Sequence, residues 1–135
     1  MYLFDTDILS QVLKRNPSPS LLKRLAETPA ELQFTSAINA AEVYFGAARV
    51  PCGDRILEAF EQKVFPNLTL LPFDVECARA YGPLKARLER KGRTRSEPDL
   101  QIAAIALVHR LTVVTGNVRH FEGIPGLRVE NWLLP

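Results

Sequence analysis

At 135 residues, 47% of them apolar and 24% charged, the chain has the length of one domain, enough to bury roughly two thirds of the surface its unfolded form exposes. A formal net charge of +2 permits a nucleic-acid partner without arguing for one, and Cys52 and Cys77 lack the number and spacing of a disulfide framework or a metal knuckle. No apolar run approaches the ~20 residues that span a bilayer, and no basic lead with an apolar stretch opens the chain, which together point to the cytoplasm.

Tyr2 to Phe4 is an apolar run that reads as a buried strand, cut off by Asp5 and Asp7. A helix pattern follows, with Ile8, Leu9, Val12 and Leu13 on one side. Asn16 to Ser20 is a turn in which Ser18 or Ser20 caps a helix running to about Glu27, and Thr28-Pro29 ends it. Leu32 to Thr35 is a short strand, and Ser36 caps a long helix through Arg49. After the loop Val50–Asp54, a helix runs from Arg55 to Phe65 and closes at Pro66-Asn67. Leu68 to Phe73 is strand-like, and Asp74 caps a helix that carries Cys77, Tyr81, Leu84 and Leu88 on one face. Arg90 to Ser96 is a basic loop. The nearly all-apolar segment Pro98–Arg110 is a buried helix, and Leu111 to Thr115 is a strand of the two-sided, parallel kind. Gly123 to Gly126 turns the chain into a last strand around Leu127 to Glu130. Strands alternating with helices predict an α/β fold with a mainly parallel sheet covered on both faces.

Three acids sit in unusual places. Asp5 lies at the C-terminal end of the first strand, where open α/β sheets bind their ligands. Glu42 is the single charged residue between Ala37 and Ala48, on the same stripe as Ile38 and Phe45. If that stripe faces the core, its carboxylate needs a cation, a metal or local solvent. Asp99 opens the buried helix, where a structural role competes: Ser96 and Asp99 have capping-box spacing, and a first-turn acid suits the helix dipole. Asp7 is a natural N-cap for the first helix. Strand ends and helix starts share one rim of a parallel sheet, so Asp5, Glu42 and Asp99 are candidates to converge there. Gathered carboxylates suit a hard divalent cation such as Mg²⁺ or Mn²⁺, which lowers the pKa of a water for attack on a phosphate.

At these residues the chain resembles a known family. Phe4-Asp5-Thr6-Asp7-Ile8-Leu9-Ser10, the Ala41–Ala47 helix around Glu42, and Pro98-Asp99-Leu100-Gln101-Ile102-Ala103-Ala104 resemble the PIN-domain ribonucleases. The tail Val114–Phe121, with Ile124–Leu127 and Glu130-Asn131-Trp132, is similar to the VapC toxins within them. The resemblance implies a three-layer α/β/α fold over residues 1–135 and Mg²⁺-dependent cleavage of RNA phosphodiester bonds, Mn²⁺ being a second candidate. It also implies a homodimer neutralised by a cognate VapB-like antitoxin. Carried over by position, Asp5 and Asp99 hold the metal, Glu42 completes the acidic cluster and helps orient the attacking water, and Thr6 supports Asp5. Two departures stand out. Asp7 replaces a frequent Asn, which either deepens the negative field or caps the helix. The family's usual fourth acid falls at Asn117 or His120, neither of them acidic, so one firmly held ion is expected, with Asn117 as a carbonyl donor.

The densest positive charge, Lys85 to Arg95, leads straight to Asp99. Arg93 and Arg95 are its best candidates for RNA phosphate contacts, against the ordinary fate of a charge run as a solvated face. His120 reads as a structural residue at a strand-to-helix junction, and Trp132 as core or dimer packing. Two other functions compete. Asp5-Thr6-Asp7-Ile8-Leu9 approximates the opening of haloacid-dehalogenase-type phosphatases, with Leu9 where a Thr belongs and no later pair of adjacent acids. The second is a catalytically degenerate PIN-like binding module, which Asn117 favours and the retention of the three acids opposes.

Overall fold

A computed structural model describes residues 1–135, and the order of its strands places the first one in the middle. Five short strands, β1 (Tyr2–Phe4), β2 (Gln33–Ser36), β3 (Thr69–Leu71), β4 (Thr112–Val114) and β5 (Val129–Glu130), stand in the order β3-β2-β1-β4-β5. Every pairing is parallel. The chain builds outward from β1 through β2 to β3, then returns to the other side of β1 with β4. The order therefore reverses between β1 and β4, and a crevice opens beyond their C-terminal ends.

Six helices cover the sheet: α1 (Thr6–Val12), α2 (Pro19–Glu27), α3 (Ala37–Ala48), α4 (Gly53–Ala59), α5 (Val75–Arg90) and α6 (Glu97–His109). Strand alternation sorts the core into two halves. Leu3 and Val113 point to one face and pack with Leu84 and Leu88 of α5 and Leu100, Ile102 and Ile105 of α6. Phe4 and Val114 point to the other, with Ile8 and Leu9 of α1, Leu21 of α2, Val43 of α3 and Phe60. This is the three-layer α/β/α arrangement expected from the sequence. Buried on all sides, α6 has no amphipathic face because none of it meets water between Leu100 and Ala106 except at Gln101.

Helix starts follow the cap residues read from the sequence. Ser18, Ser36, Asp74 and Ser96 each accept an N–H of the turn that follows. The first helix is an exception. Its N-cap is Asp5, whose carboxylate accepts the Thr6 N–H at 2.9 Å; Asp7, expected to be the cap, lies inside the first turn. Other boundaries shift for local reasons. The helix expected over 55–65 begins at Gly53, and past Ala59 it widens into a π turn, Phe60–Val64, then tightens over Phe65–Asn67, because Pro66 cannot continue an α-helical ladder. β3 stops at Leu71 because Pro72 has no N–H for the ladder. Leu127 falls outside β5, its N–H closing a turn onto the Ile124 carbonyl around Gly126 at φ +78°.

Trp132 belongs to the core. It is 1% exposed, stacks edge-on against Tyr2 and Phe4, carries the Arg24 guanidinium on its face, and donates its indole N–H to Glu130 at 2.9 Å. It thereby fastens the C-terminal segment over the Tyr2 and Phe4 side chains of β1. Trp132→Ala is expected to lower unfolding stability by about 3–5 kcal/mol, the usual cost of emptying an aromatic site of this depth, read from urea denaturation followed by circular dichroism.

Candidate active site

Asp5 is where the fold concentrates its polar bonding. It is one of the few buried charged or polar residues, 7% exposed, and both carboxylate oxygens are taken. Oδ1 accepts the Thr6 N–H at 2.9 Å and the Asn39 amide at 3.0 Å; Oδ2 accepts the Thr115 hydroxyl at 2.9 Å. The register that sets Phe4 beside Val114 brings Thr115 to Asp5, and the Asp5 N–H continues the ladder to the Val114 carbonyl at 2.9 Å. The carboxylate is thus locked at the reversal point between β1 and β4.

From Asp5 the network runs outward. Ser36 caps α3 and donates its hydroxyl to Asn39 Oδ1 at 2.5 Å, which turns the Asn39 amide toward Asp5 and toward Thr6 Oγ1 at 3.1 Å. Thr6 in turn donates to Glu42 Oε1 at 3.0 Å. Asp7 Oδ2 accepts the Gly116 N–H at 2.8 Å, so it ties α1 to the segment after β4. A Cβ at Gly116 would lie 2.7 Å from that oxygen, and only glycine allows this approach.

Asp5, Asp7, Glu42 and Asp99 line one open cleft of about 390 Å³ together with Thr6, Asn117 and His120. Three remote segments supply the acids: the end of β1, the middle of α3 and the first turn of α6. One expectation needs correction. The α3 stripe bearing Glu42 meets the core only at Ile38: Phe45 is 62% exposed, Glu42 stays open to solvent, and the buried positions are Asn39, Ala40, Val43 and Ala47. Solvent access is what makes the Glu42 charge tolerable. Arg93 and Arg95, meanwhile, do not line the cleft. Arg95 donates to the carbonyls of Glu122 at 2.6 Å and Thr94 at 3.1 Å, and a Cβ at Gly123 would meet Arg93 Nη1 at 3.3 Å. Both guanidiniums fold onto the bare backbone of that glycine turn.

Electrostatically the cleft is under strain. Burial pushes the Asp5 carboxyl above its ordinary range despite its hydrogen bonds to Thr115 and Thr6, and repulsion from Asp7 and Asp99 adds to the rise. Glu42 is raised as well, first by partial loss of hydration against the cleft wall, then by Asp5, Asp99 and Asp7, with the Thr6 hydroxyl opposing. The carboxylates line the cleft without closing round a point: no three Asp, Glu, His or Cys side chains stand together at metal-holding distance. Their chemistry, hard oxygen donors in mutual repulsion, is nonetheless what a divalent cation relieves.

Three residues of this site were not read from the sequence as functional. His120 Nδ1 stands 3.4 Å from Asp99 Oδ2, at the cleft and not at a mere junction. Thr115 passed for the end of an apolar strand. Asn39 is fully buried, and the available signal was an amide in the first turn of a helix whose one charged residue is Glu42.

A family model described as the PIN domain matches residues 2–127. The chain belongs to the PIN-domain family. A relative, Ribonuclease VapC2 of Haemophilus influenzae, is 34% identical over 132 residues, covering 98% of each chain. Among solved structures, FitAcB from Neisseria gonorrhoeae superposes with a TM-score of 0.89 at 28% identity over the whole of both chains. A toxin-antitoxin complex from Klebsiella pneumoniae gives 0.69 at 26% identity over 98% of each. No helix of this PIN-domain chain is long and apolar enough to cross a membrane.

The raised Asp5 carboxyl has a consequence for stability with a definite sign. In metal-free protein its burial favours the protonated form, a contribution present in full below the ordinary carboxyl range and lost as pH rises through the raised value. Asp5→Asn keeps an N-cap acceptor and removes the charge. With chelator present, this variant is expected to melt a few degrees above the unaltered chain at pH 7, with the gap closing toward pH 4. Differential scanning calorimetry at the two pH values reads the outcome.

Proposed function

We propose that the chain is a metal-dependent endoribonuclease, the toxin of a toxin–antitoxin pair, hydrolysing RNA phosphodiester bonds with an activated water. The observation that carries the reading is the convergence of Asp5, Glu42 and Asp99, 94 residues apart at the extremes (99 − 5), on one cleft at the reversal point of a parallel sheet. The ribonuclease name of the Haemophilus relative and the toxin-antitoxin title of the Klebsiella structure support it.

Asp5 and Asp99 would hold the ion. A divalent cation such as Mg²⁺ or Mn²⁺ supplies charge neutralisation among the acids and a lowered pKa for the attacking water. Asp5 is presented in one orientation because Thr6 and Asn39 donate to Oδ1 and Thr115 donates to Oδ2, which keeps a second lone pair on Oδ2 for an ion. Glu42, raised and solvent-accessible, accepts from Thr6 and is suited to orient a water and take its proton. Asn117 lies at the mouth, its amide 3.4 Å from Asp7 Oδ2, and offers a neutral oxygen where a fourth acid would have added charge; we therefore expect one firmly held ion. A homodimer in the cytoplasm, silenced by a VapB-like antitoxin, goes with this reading.

A haloacid-dehalogenase-type phosphatase fits less well, because Leu9 is 3% exposed in the apolar core and brings no hydroxyl to the cleft. A degenerate binding module would have no need to keep a buried, repelling carboxylate so fully clamped.

Asp5→Ala and Asp99→Asn are each expected to abolish growth arrest on expression and to reduce RNA cleavage at least 100-fold, with far-ultraviolet circular dichroism unchanged. Cleavage that persists in EDTA would count against the mechanism. In a thermal-shift titration, Mg²⁺ or Mn²⁺ at about ten times its dissociation constant should stabilise the unaltered chain by roughly 1.4 kcal/mol and leave Asp99→Asn nearly unmoved.

A further inference from the structure

Four acids make the cleft a poor place for RNA to bind on its own, so the phosphates flanking the cut need a cation elsewhere. Of the cations first expected to serve, Arg95 is hydrogen-bonded to the Glu122 and Thr94 carbonyls, and Arg93, exposed and outside the cleft lining, lies against the Gly123 turn. Lys85 pairs with Glu97, which also accepts the Tyr81 hydroxyl, and His120 faces Asp99. Arg119 is different. It is exposed, enters no salt bridge, and lines a pocket of about 520 Å³ with Asn117, His120, Glu122 and Asn131.

That pocket is the continuation of the acidic cleft, because Asn117 and His120 line both. Its character is the reverse: one acid, Glu122, where the cleft has four. Asn131 turns its carboxamide oxygen to the Leu133 N–H at 2.9 Å, which leaves its NH₂ donors for a ligand. A further neighbouring pocket shares Ser10 with the cleft and contains Lys14 and Arg55, yet Leu13, Ile56 and Phe60 make it largely apolar. A polyanionic strand is better matched by the polar one.

We infer that Arg119 binds the RNA phosphate next to the scissile bond, in a pocket reached from the acidic cleft across Asn117 and His120. This rests on the nuclease reading and adds to it the direction in which the strand leaves the site. Arginine suits the task, since its planar fork of N–H donors grips phosphate oxygens in pairs while carrying no information about the base.

The test is cleavage kinetics on a long single-stranded RNA of mixed sequence, with Mg²⁺, across a KCl series. Arg119→Ala should raise KM about tenfold, the loss of a charge-assisted contact, and move kcat less than twofold. The slope of log KM against log[KCl] should fall by about 0.7, the value for one phosphate on a single strand. Arg119→Lys should recover most of the affinity. Arg79→Ala, which removes the same charge from a side chain 75% exposed near the far end of α5, should leave both quantities alone. Unchanged KM and salt slope in Arg119→Ala, or an equal effect in Arg79→Ala, overturns the phosphate site; if Asp5→Asn still loses cleavage, the nuclease reading stands. No cleavage by the unaltered chain overturns both.

Discussion

A buried carboxylate at the end of the central strand is the constraint from which the rest of this structure follows. Asp5 is costly to keep in place, since burial and neighbouring acids both oppose its charge. Three independent elements hold it: the first turn of α1 through the Thr6 N–H, α3 through Asn39, and the end of β4 through Thr115. The same bonds that stabilise the ionised form also remove its rotational freedom. An acid so immobilised is a poor structural choice and a good catalytic one, because its orientation is already set before any ligand arrives.

The surrounding architecture serves that placement. Parallel pairing on both sides of β1 aligns all strand ends on one rim, and the return from β3 to β4 opens the crevice there. Alternating side chains along β1 and β4 divide the core into two halves, which lets helices cover both faces and deliver α3 and α6 to the rim. The Ser36–Asn39 pair is a second layer of control: the hydroxyl that caps α3 also fixes which end of the Asn39 amide meets Asp5. Gly116 makes room for Asp7, so the short cap-like acid is spent on binding the β4 segment while Asp5 does the capping.

Much of this was legible along the chain. The alternation of apolar runs and helical stripes, the Ser and Asp caps, and the position of Asp5 after Tyr2–Phe4 are local features, and local sterics and hydrogen bonding decide them. The acidic convergence was inferable because a parallel sheet puts strand ends and helix starts on one edge. What could not be read were side-chain directions. Glu42 was expected on a core-facing stripe, but α3 presents Asn39 and Val43 inward and leaves Phe45 in water, an outcome of how the helix is rolled against its neighbours. Arg93 and Arg95 were expected near the cleft; a glycine turn 27 to 30 residues away offered Arg95 the Glu122 carbonyl, and both guanidiniums an unobstructed surface, instead.

Sequence alone therefore settled the order of the elements and the family pattern and pointed to the three acids, because each depends on neighbours within a few turns or on residue chemistry. The tertiary fold decided which acid caps α1, that Asn39 and Thr115 hold Asp5, that His120 meets Asp99, and that Arg119 lines a polar pocket adjoining the cleft. Those are contacts between segments as many as 110 residues apart, and their partners are chosen by strand register and helix packing, which no local stretch of chain encodes.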